Sequence, residues 1–197
     1  MKQQEKCLNE VIISGVVTKD FELDHYEAGI KYYICEIECK RRNDLFDTIK
    51  LMVNEYLVDA SDSWLGEYVE VTGEYHTHNV DRTLKSFVMA KTFKCLVKPN
   101  WHNEVMLTGY VCKKPGFRKP GGKNVCDVIL AVKRYSAADF IPVIFWDDDA
   151  IEASSFEKSK KITVLGRIQS RTYLKKEETG LFEKMCWEVS VKGYREE

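Results

Sequence analysis

Flat aromatic side chains and arginines share one side of two strand-like segments in the second half of this 197-residue sequence. Phe140 and Trp146 stand an even number of positions apart, so an extended strand turns both rings to the same side. The next such segment alternates polar residues in the same way: Arg167, Gln169, Arg171 and Tyr173. Rings stack on nucleotide bases, at about 1–3 kcal/mol for each base, while cations hold phosphates. These residue types predict a site for an unpaired nucleic-acid strand.

A basic loop precedes both segments. It holds cations and no acid between positions 113 and 123: Lys113, Lys114, Arg118, Lys119 and Lys123. Three glycines keep this loop pliable: Gly116, Gly121 and Gly122. We expect the phosphates to be held by Arg118, Lys119, Lys123, Arg134, Arg167 and Arg171. The alternatives are that the loop is an ordinary solvated hairpin, that the strand arginines are merely solvated, and that the rings cover a contact between domains.

An internal repeat organises the chain. Three segments return in the same order with nearly the same spacing: Asn9–Val17 as Asn103–Val111, Asp47–Val53 as Asp139–Phe145, and Val69–Gly73 as Ile162–Gly166. A repeat of this length is about one small domain. We therefore predict two domains, residues 1–98 and 99–197, which a short link at Lys98–His102 holds close together.

Each copy has the element order of an OB fold, a small all-β barrel with a short helix. Five short strands are predicted in each copy: 11–17, 32–40, 48–53, 68–76 and 87–93, and then 105–111, 125–133, 140–146, 161–171 and 186–191. A turn-rich loop follows the first strand, and a helix precedes the fourth. The helices carry Tyr56, Ala60 and Trp64 in one copy and Ala150, Ala153 and Phe156 in the other. Pro142 indicates a strand edge or a bulge, because proline cannot donate to a ladder.

The two copies differ in charge. Residues 1–98 hold 13 Lys+Arg and 17 Asp+Glu, and residues 99–197 hold 17 and 14, so only the second copy is net positive. The rings and arginines of the second copy are replaced in the first by Thr48, Asn54, Glu74, His76, His78 and Val80. This acidic, aromatic-poor face should repel phosphates. We place the ligand on the second copy and assign the first a structural or assembly role.

The second half resembles the bacterial single-stranded DNA-binding protein (SSB) family, over residues 103 to 191. The resemblance lies in these segments: 103–109 (NEVMLTG), 130–134 (LAVKR), 138–141 (ADFI) with Trp146, and 166–173 (GRIQSRTY). It implies OB folds and sequence-tolerant binding of single-stranded DNA. The family's base-stacking positions fall on Phe140, Trp146 and Tyr173, with Tyr135 near a fourth.

The resemblance also implies an assembly. Members commonly join four OB barrels, so a chain with two barrels would form a homodimer. The family usually ends in a flexible acidic tail with a terminal Pro-Phe that recruits repair enzymes. This sequence ends at Lys192–Glu197 without such a tail, so we expect no recruitment by that route. The first half resembles the family only in outline.

Other chemistry is not predicted. Asp147, Asp148 and Asp149 open a helix, which is a simpler account than a metal site. His76 and His78 form a surface pair without a third ligand nearby. The seven cysteines are odd in number and irregularly spaced, which indicates reduced thiols in a cytoplasmic protein. No catalytic motif, cofactor site, signal peptide or membrane span is recognised, so we expect no enzyme activity and no membrane partner.

The leading hypothesis is a non-enzymatic protein that coats single-stranded DNA during replication, recombination or repair in the bacterial cytoplasm, at the nucleoid. One alternative is an OB-fold assembly subunit of a replication or mobile-element complex, with its rings buried against another protein. Another is an RNA-binding protein, because stacking alone does not separate RNA from DNA.

Overall fold

Strands dominate the structure, a computed structural model that describes residues 7–80, 83–135, 137–177 and 180–197, without the side chains of 173–177. The first half contains β1 (Asn9–Glu27), β2 (Ile30–Lys40), β3 (Phe46–Asn54), β4 (Tyr68–Val80) and β5 (Thr83–Leu96). The second half contains β6 (Asn103–Val111), β7 (Gly116–Arg118), β8 (Val125–Lys133), β9 (Ala138–Trp146), α1 (Asp147–Ala153), β10 (Lys161–Glu177) and β11 (Gly180–Glu196).

Each half closes into a five-stranded barrel. In the first half, β1 pairs with β2 and β4, β2 with β3, and β4 with β5, while β3 meets β5 in parallel at Leu51 and Val88. The second half repeats this circuit with β6, β8, β9, β11 and β10, and its parallel contact joins Val143 to Val189. The prediction of an all-β chain with two tandem OB folds is confirmed.

The barrel cores follow the predicted strand alternation. The side chains expected inside the second barrel are all fully buried: Ile141, Val143, Phe145, Ile162, Val164 and Ile168. Gly73 and Gly166, the glycines that end the third repeated segment, lie at register shifts of β4 and β10. A Cβ at Gly73 would stand 2.1 Å from the carbonyl oxygen of Met89, and one at Gly166 would stand 2.5 Å from that of Ser190. Only glycine lets the neighbouring strands approach at these points.

Two local predictions for the first half are wrong. Residues 55–67 form turns rather than a helix, and within them Asp59 Oδ1 binds an amide that an interior helical turn would direct to a backbone carbonyl oxygen. Asn54 Oδ1 accepts from the amide of Tyr56 at 3.0 Å, and Asp59 Oδ1 accepts from that of Ser61 at 3.0 Å. The expected loop after the first strand is instead a continuation of β1 to Glu27, and three register shifts let this strand bend along β2.

The second half fits the predicted elements more closely. The helix forms as α1, with the three aspartates in its first turn, although Phe156 lies beyond its end. The ladder from β9 to β11 starts at Val143, directly after Pro142, which accords with a proline at the limit of the pairing. No helix in the described ranges is long and apolar enough to cross a membrane.

An antiparallel ladder between β1 and β6 joins the two barrels. Val11 pairs with Val105, which is its own counterpart in the repeat, and Asn9 pairs with Leu107 as Ile13 pairs with Asn103. A local two-fold axis therefore passes between the two valines. The ladder makes β5, β4, β1, β6, β10 and β11 one continuous sheet, so the expected close approach of the barrels is confirmed.

Repeated asparagines hold the two sides of this seam. Asn9 donates to the carbonyl oxygen of Tyr75 at 2.9 Å and accepts from the amide of Tyr75 at 2.8 Å. Asn103 bonds in the same way to the backbone of Ile168, at 2.8 and 2.9 Å. The first residue of the repeat therefore fixes β4 in one half and β10 in the other.

Two buried aspartates bind across the seam. Asp139, on β9, accepts from the amide of Thr77 at 2.8 Å, from His76 Nδ1 at 2.9 Å and from Arg134 Nε at 3.0 Å. Its counterpart Asp47, on β3, accepts from the amide of Ser170 at 2.8 Å and from two arginines, Arg41 and Arg167. Each aspartate thus links its own barrel to the long hairpin of the other.

Replacing Asp139 with asparagine should lower the free energy of unfolding by roughly 3 kcal/mol, because a buried carboxylate with charged partners is costly to break from one side. Urea denaturation monitored by circular dichroism measures the change. Asp127→Asn is the matched control, since Asp127 forms an ion pair with the exposed Arg118 and should cost less than about 1 kcal/mol. Equal decreases in the free energy of unfolding of both variants would contradict a stabilising role for the Asp139 contacts across the seam.

Candidate nucleic-acid interface

The two predicted stacking rings lie open on the outer side of β9. Phe140 is 49% exposed and Trp146 is 37% exposed. The two residues stand six positions apart along the strand, a distance of about 20 Å. We call this surface, with its neighbours on β8, β10 and β11, the stacking face. Neither ring is covered by the first barrel, which removes one reason to read them as packing residues.

The first barrel does contact Phe140, but through its backbone. The amide of Phe140 donates to Thr77 Oγ1 at 2.9 Å, and the Thr77 hydroxyl lies 3.3 Å from the Phe140 carbonyl oxygen. Asp139, the preceding residue, is fully buried. Because alternate residues of a strand point to opposite sides, the anchoring of Asp139 directs the Phe140 ring outward.

Trp146 is oriented by a neighbouring strand. Its Nε1 donates to Ser190 Oγ at 3.0 Å, which satisfies the indole N–H while the residue stays partly exposed. Val125 of β8 pairs with Trp146 on one side and with Arg118 of β7 on the other. Arg118 therefore lies on the same rung as Trp146, two strands away. A base stacked on the indole would have a cation within reach of its phosphate.

The turn from β8 to β9 adds a third ring. Tyr135 is 77% exposed in this turn, and the amide of Arg134 donates to the carbonyl oxygen of Ala137 at 2.8 Å to close it. Arg134 Nε lies 3.0 Å from the buried Asp139 Oδ2. The turn thus presents Tyr135 and Arg134 at the Phe140 end of the stacking face.

Four of the six predicted phosphate-binding cations already face a carboxylate. The pairs are Arg118–Asp127 at 2.7 Å, Arg134–Asp139 at 3.0 Å, Arg167–Asp47 at 3.3 Å and Arg171–Glu188 at 3.1 Å. A guanidinium has five N–H donors, so these contacts leave donors for a phosphate. The carboxylates nevertheless weaken the attraction for an anion, a feature that strand patterning did not reveal.

The middle of β10 is more enclosed than expected. Gln169 lies outside the barrel wall but is only 6% exposed, because its Nε2 donates to Glu188 Oε1 at 2.7 Å and its Oε1 accepts from Arg167 at 3.0 Å. Gln169 therefore positions the side chains around it. Burial, and then the charge of Arg41, lower the pKa of Arg167. Tyr173 is in β10, but its side chain is outside the described residues.

The basic loop is partly ordered by β7 and a short turn at Pro120–Gly122. Gly121 and Gly122 have φ angles of 57° and 82°, which glycine adopts without strain. Lys119 Nζ lies 5.8 Å from the centre of the Phe117 ring, and Lys123 is exposed. Phe117 itself is 41% exposed, and it was not among the predicted site residues. Its position between Gly116 and Arg118, in a loop otherwise rich in cations, was the available signal.

Two other residues near the face were also missed. Trp187 donates from Nε1 to the carbonyl oxygen of Thr48 at 2.7 Å, and Lys50 Nζ lies 5.4 Å from its ring, so this indole packs against the first barrel. Glu188 is buried between Gln169 and Arg171. The positions of both side chains depend on contacts with other strands, and nothing in the local sequence pattern of β11 predicts these contacts.

The first barrel presents a different surface at the corresponding positions. Thr48 and Asn54 replace the two rings, and Lys50 between them faces Glu36 at 3.7 Å. No Phe, Tyr or Trp stands at these counterpart positions, and the exposed Tyr26 and Tyr56 lie elsewhere on this barrel. These rings lie among acidic residues of the β1–β2 hairpin and the following turns, which include Asp24, Glu27, Glu55 and Asp59.

Within the described residues, no group of three or more His, Cys, Asp or Glu side chains could hold a metal ion. His76 is buried rather than part of a surface pair, and it binds Asp139. All seven cysteines are free thiols, although Cys95 is exposed. Burial raises the pKa of the Cys35 and Cys39 thiols to about 12, so neither is poised as a nucleophile.

Known proteins resemble the chain in two ways. Residues 102–192 match the single-strand binding protein family. A single-stranded DNA-binding protein of Clostridium tetani is 40% identical over 86 residues, which cover 39% of this chain and 59% of that protein. Single-stranded DNA-binding protein 3 of Clostridium acetobutylicum is 37% identical over 86 residues, covering 39% and 60%. The chain thus spans less than two thirds of the length of these relatives.

The solved structures extend the likeness to both barrels. The wild-type single-stranded DNA binding protein from Thermus aquaticus superposes with a TM-score of 0.78, at 17% identity, and the alignment covers 98% of this chain and 94% of that one. A deletion mutant of the same protein gives 0.76, also at 17% identity. At this identity the likeness establishes the OB fold of both halves.

Asp127→Asn should strengthen binding of an oligothymidylate about 2- to 5-fold, because releasing Arg118 from an exposed ion pair frees roughly 0.4–1 kcal/mol of attraction for phosphate. Fluorescence anisotropy of a labelled oligonucleotide at constant ionic strength measures the affinity. Asp59→Asn, on the first barrel, removes the same charge away from the stacking face and should leave the affinity unchanged. A weaker complex with Asp127→Asn would contradict the role given to Arg118.

Proposed function

We propose that this chain, whose second half is a domain of the single-strand binding protein family, binds single-stranded DNA on that half with little regard to sequence. The observation that carries the proposal is the pair of open rings on β9, flanked by arginines on β7 and β10. Bases would stack on Phe140, Trp146, Tyr135 and Tyr173. Phosphates would meet Arg118, Lys119, Lys123, Arg134, Arg167 and Arg171, with Gln169 holding Arg167 in place.

In this proposal the two halves divide the work. Residues 99–197 bind the strand, and residues 1–98 serve as a structural or assembly partner. The protein acts without catalysis, in the bacterial cytoplasm at the nucleoid, and covers strands exposed by replication, recombination or repair. The acidic surface of the β1–β2 hairpin supports this division, because like charge keeps phosphates away from the first barrel.

The Phe140→Ala, Trp146→Ala double variant tests the stacking role. Loss of two stacked bases, at about 1 kcal/mol or more each, should weaken oligothymidylate binding by roughly 30-fold or more. The affinity is measured by the fluorescence anisotropy of a labelled oligonucleotide. Quenching of tryptophan fluorescence cannot be compared between the proteins, because the variant lacks Trp146. The matched control is Thr48→Ala with Asn54→Ala, at the counterpart positions of the first barrel, which should bind like the wild type.

Other outcomes of the same experiment speak for other functions. If the double variant loses its oligomeric state while its DNA affinity stays the same, the rings serve assembly and the proposal fails. Competition between matched DNA and RNA oligonucleotides separates the two nucleic acids. Tighter binding of RNA would overturn the choice of DNA.

We also propose a homodimer, which brings four OB barrels together. The outer side of the continuous sheet offers a surface for it, since Ile12 is exposed there and Met106 pairs with Leu165 beside it. The native mass should be about twice 22.9 kDa by light scattering at micromolar concentration. Ile12→Lys should reduce that mass to the monomer value, whereas Leu181→Lys, on the tip of the β10–β11 hairpin, should not. A monomeric wild type would contradict the dimer.

A further inference from the structure

A basic cleft of about 660 Å³ lies at the seam between the two barrels. Its walls come from the end of β2 and the following turn, from the link between the barrels, and from β10 and β11. Five cations line it: Lys40, Arg41, Arg42, Arg167 and Lys192. Only Asp47 and Glu104 oppose them among the lining residues, so the cleft is net positive although the whole chain is close to neutral.

Some cations of the cleft form ion pairs and others do not. Asp47 accepts from both Arg41 and Arg167, so one buried negative charge serves two positive ones. Arg42 is exposed, and it has no ion pair with any residue that the structure describes. The nearest partner of Lys192 Nζ is a neutral carbonyl oxygen, that of Asn103 at 3.5 Å. Arg42 and Lys192 are therefore available to an anion without the loss of an existing ion pair.

An aromatic ring stands among these charges. Trp101, in the link, lines the cleft and is held edge-on by Phe46 and Tyr68, with ring centres 6.2 and 6.3 Å away. Its φ of 53° is rare for a bulky residue, so the surrounding contacts hold the ring in place. The next residue anchors the link, because the amide of His102 donates to Ser14 Oγ at 2.7 Å.

The cleft continues directly from the stacking face. Ser190, which accepts from the Trp146 indole, pairs with Arg167 across β11 and β10. Arg167 is also one of the residues that line the cleft. Trp146, Ser190 and Arg167 thus lie on three successive strands, β9, β11 and β10, in a series that leads from one ring to the neighbourhood of another, Trp101.

We propose that this cleft is a second contact region for the same single strand, which crosses Arg167 and enters the seam. A base would lie against Trp101, and the flanking phosphates would meet Arg42 and Lys192. This inference rests on the proposed function and assigns part of the binding path to the first barrel. The path would therefore include residues from both halves, although Thr48 and Asn54 stand on β3 where β9 carries its two rings.

The Arg42→Gln, Lys192→Gln double variant tests the cleft. Binding of an oligothymidylate of about 30 nucleotides, longer than the roughly 4–16 that one OB fold covers, is measured at several salt concentrations. Loss of two phosphate contacts should flatten the slope of log K against log salt by about 1.4. The control, Lys94→Gln with Lys158→Gln, removes two exposed cations outside the cleft and should keep the wild-type slope.

Photo-cross-linking with 5-iodouracil in the oligonucleotide locates the base. Cross-links to the peptide that contains Trp101 are expected in addition to those near Trp146, and they should weaken in the cleft variant. Cross-links confined to the β9 peptide, with an unchanged salt slope, would overturn the cleft while leaving the stacking face intact. Absence of any binding by the wild type would instead overturn the proposed function, and the cleft with it.

Discussion

The ladder between β1 and β6 is the constraint on which the remaining architecture depends. Because Val11 pairs with its own counterpart Val105, the two barrels meet about a local two-fold axis. That axis brings the β4–β5 hairpin against β9 and the β10–β11 hairpin against β3. The asparagine and aspartate contacts of the seam follow from this placement, and they satisfy polar groups that would otherwise be buried without partners.

The same placement shapes the proposed interface. The first barrel holds β9 by its backbone and by the carboxylate of Asp139, so the alternate side chain, Phe140, remains in solvent. Arginines near the rings are held by acids, which fixes their position and reduces the net charge of the surface. A surface built in this way favours ring stacking over bulk electrostatic attraction, which accords with a sequence pI near 6.5.

Much of this arrangement could be predicted from the sequence, because it depends on short-range patterns. Alternation placed Ile141, Val143 and Phe145 in the core, and the bounds 125–133 predicted for one strand agree with β8 at both ends. The failures come from contacts that periodicity does not report. Residues 55–67 form turns in which Asp59 Oδ1 binds the amide of Ser61, and the burial of Gln169 depends on Glu188, nineteen residues away.

Contacts across the seam were even less accessible. Asp47 and Ser170 lie 123 positions apart, and no local pattern connects them. The repeat did predict that Asp47 and Asp139 would be equivalent, but their partners became visible only once the axis was known. The exposure of the rings on β9 was predictable, because it depends only on the presence of a strand and on the alternation of its side chains. The ion pairs of the arginines were not predictable, since each requires a carboxylate whose position is set by the packing of the strands.

The covalent link across the local axis has a consequence for how such a molecule can diverge. In a dimer of identical chains, every replacement occurs twice and must suit both of its surroundings. Here the counterparts differ independently: Asp139 receives a histidine from the opposite hairpin, whereas Asp47 receives an arginine. Under the proposed function, fusion of the two copies lets one half give up its ligand face and specialise in support, without removing that face from its twin.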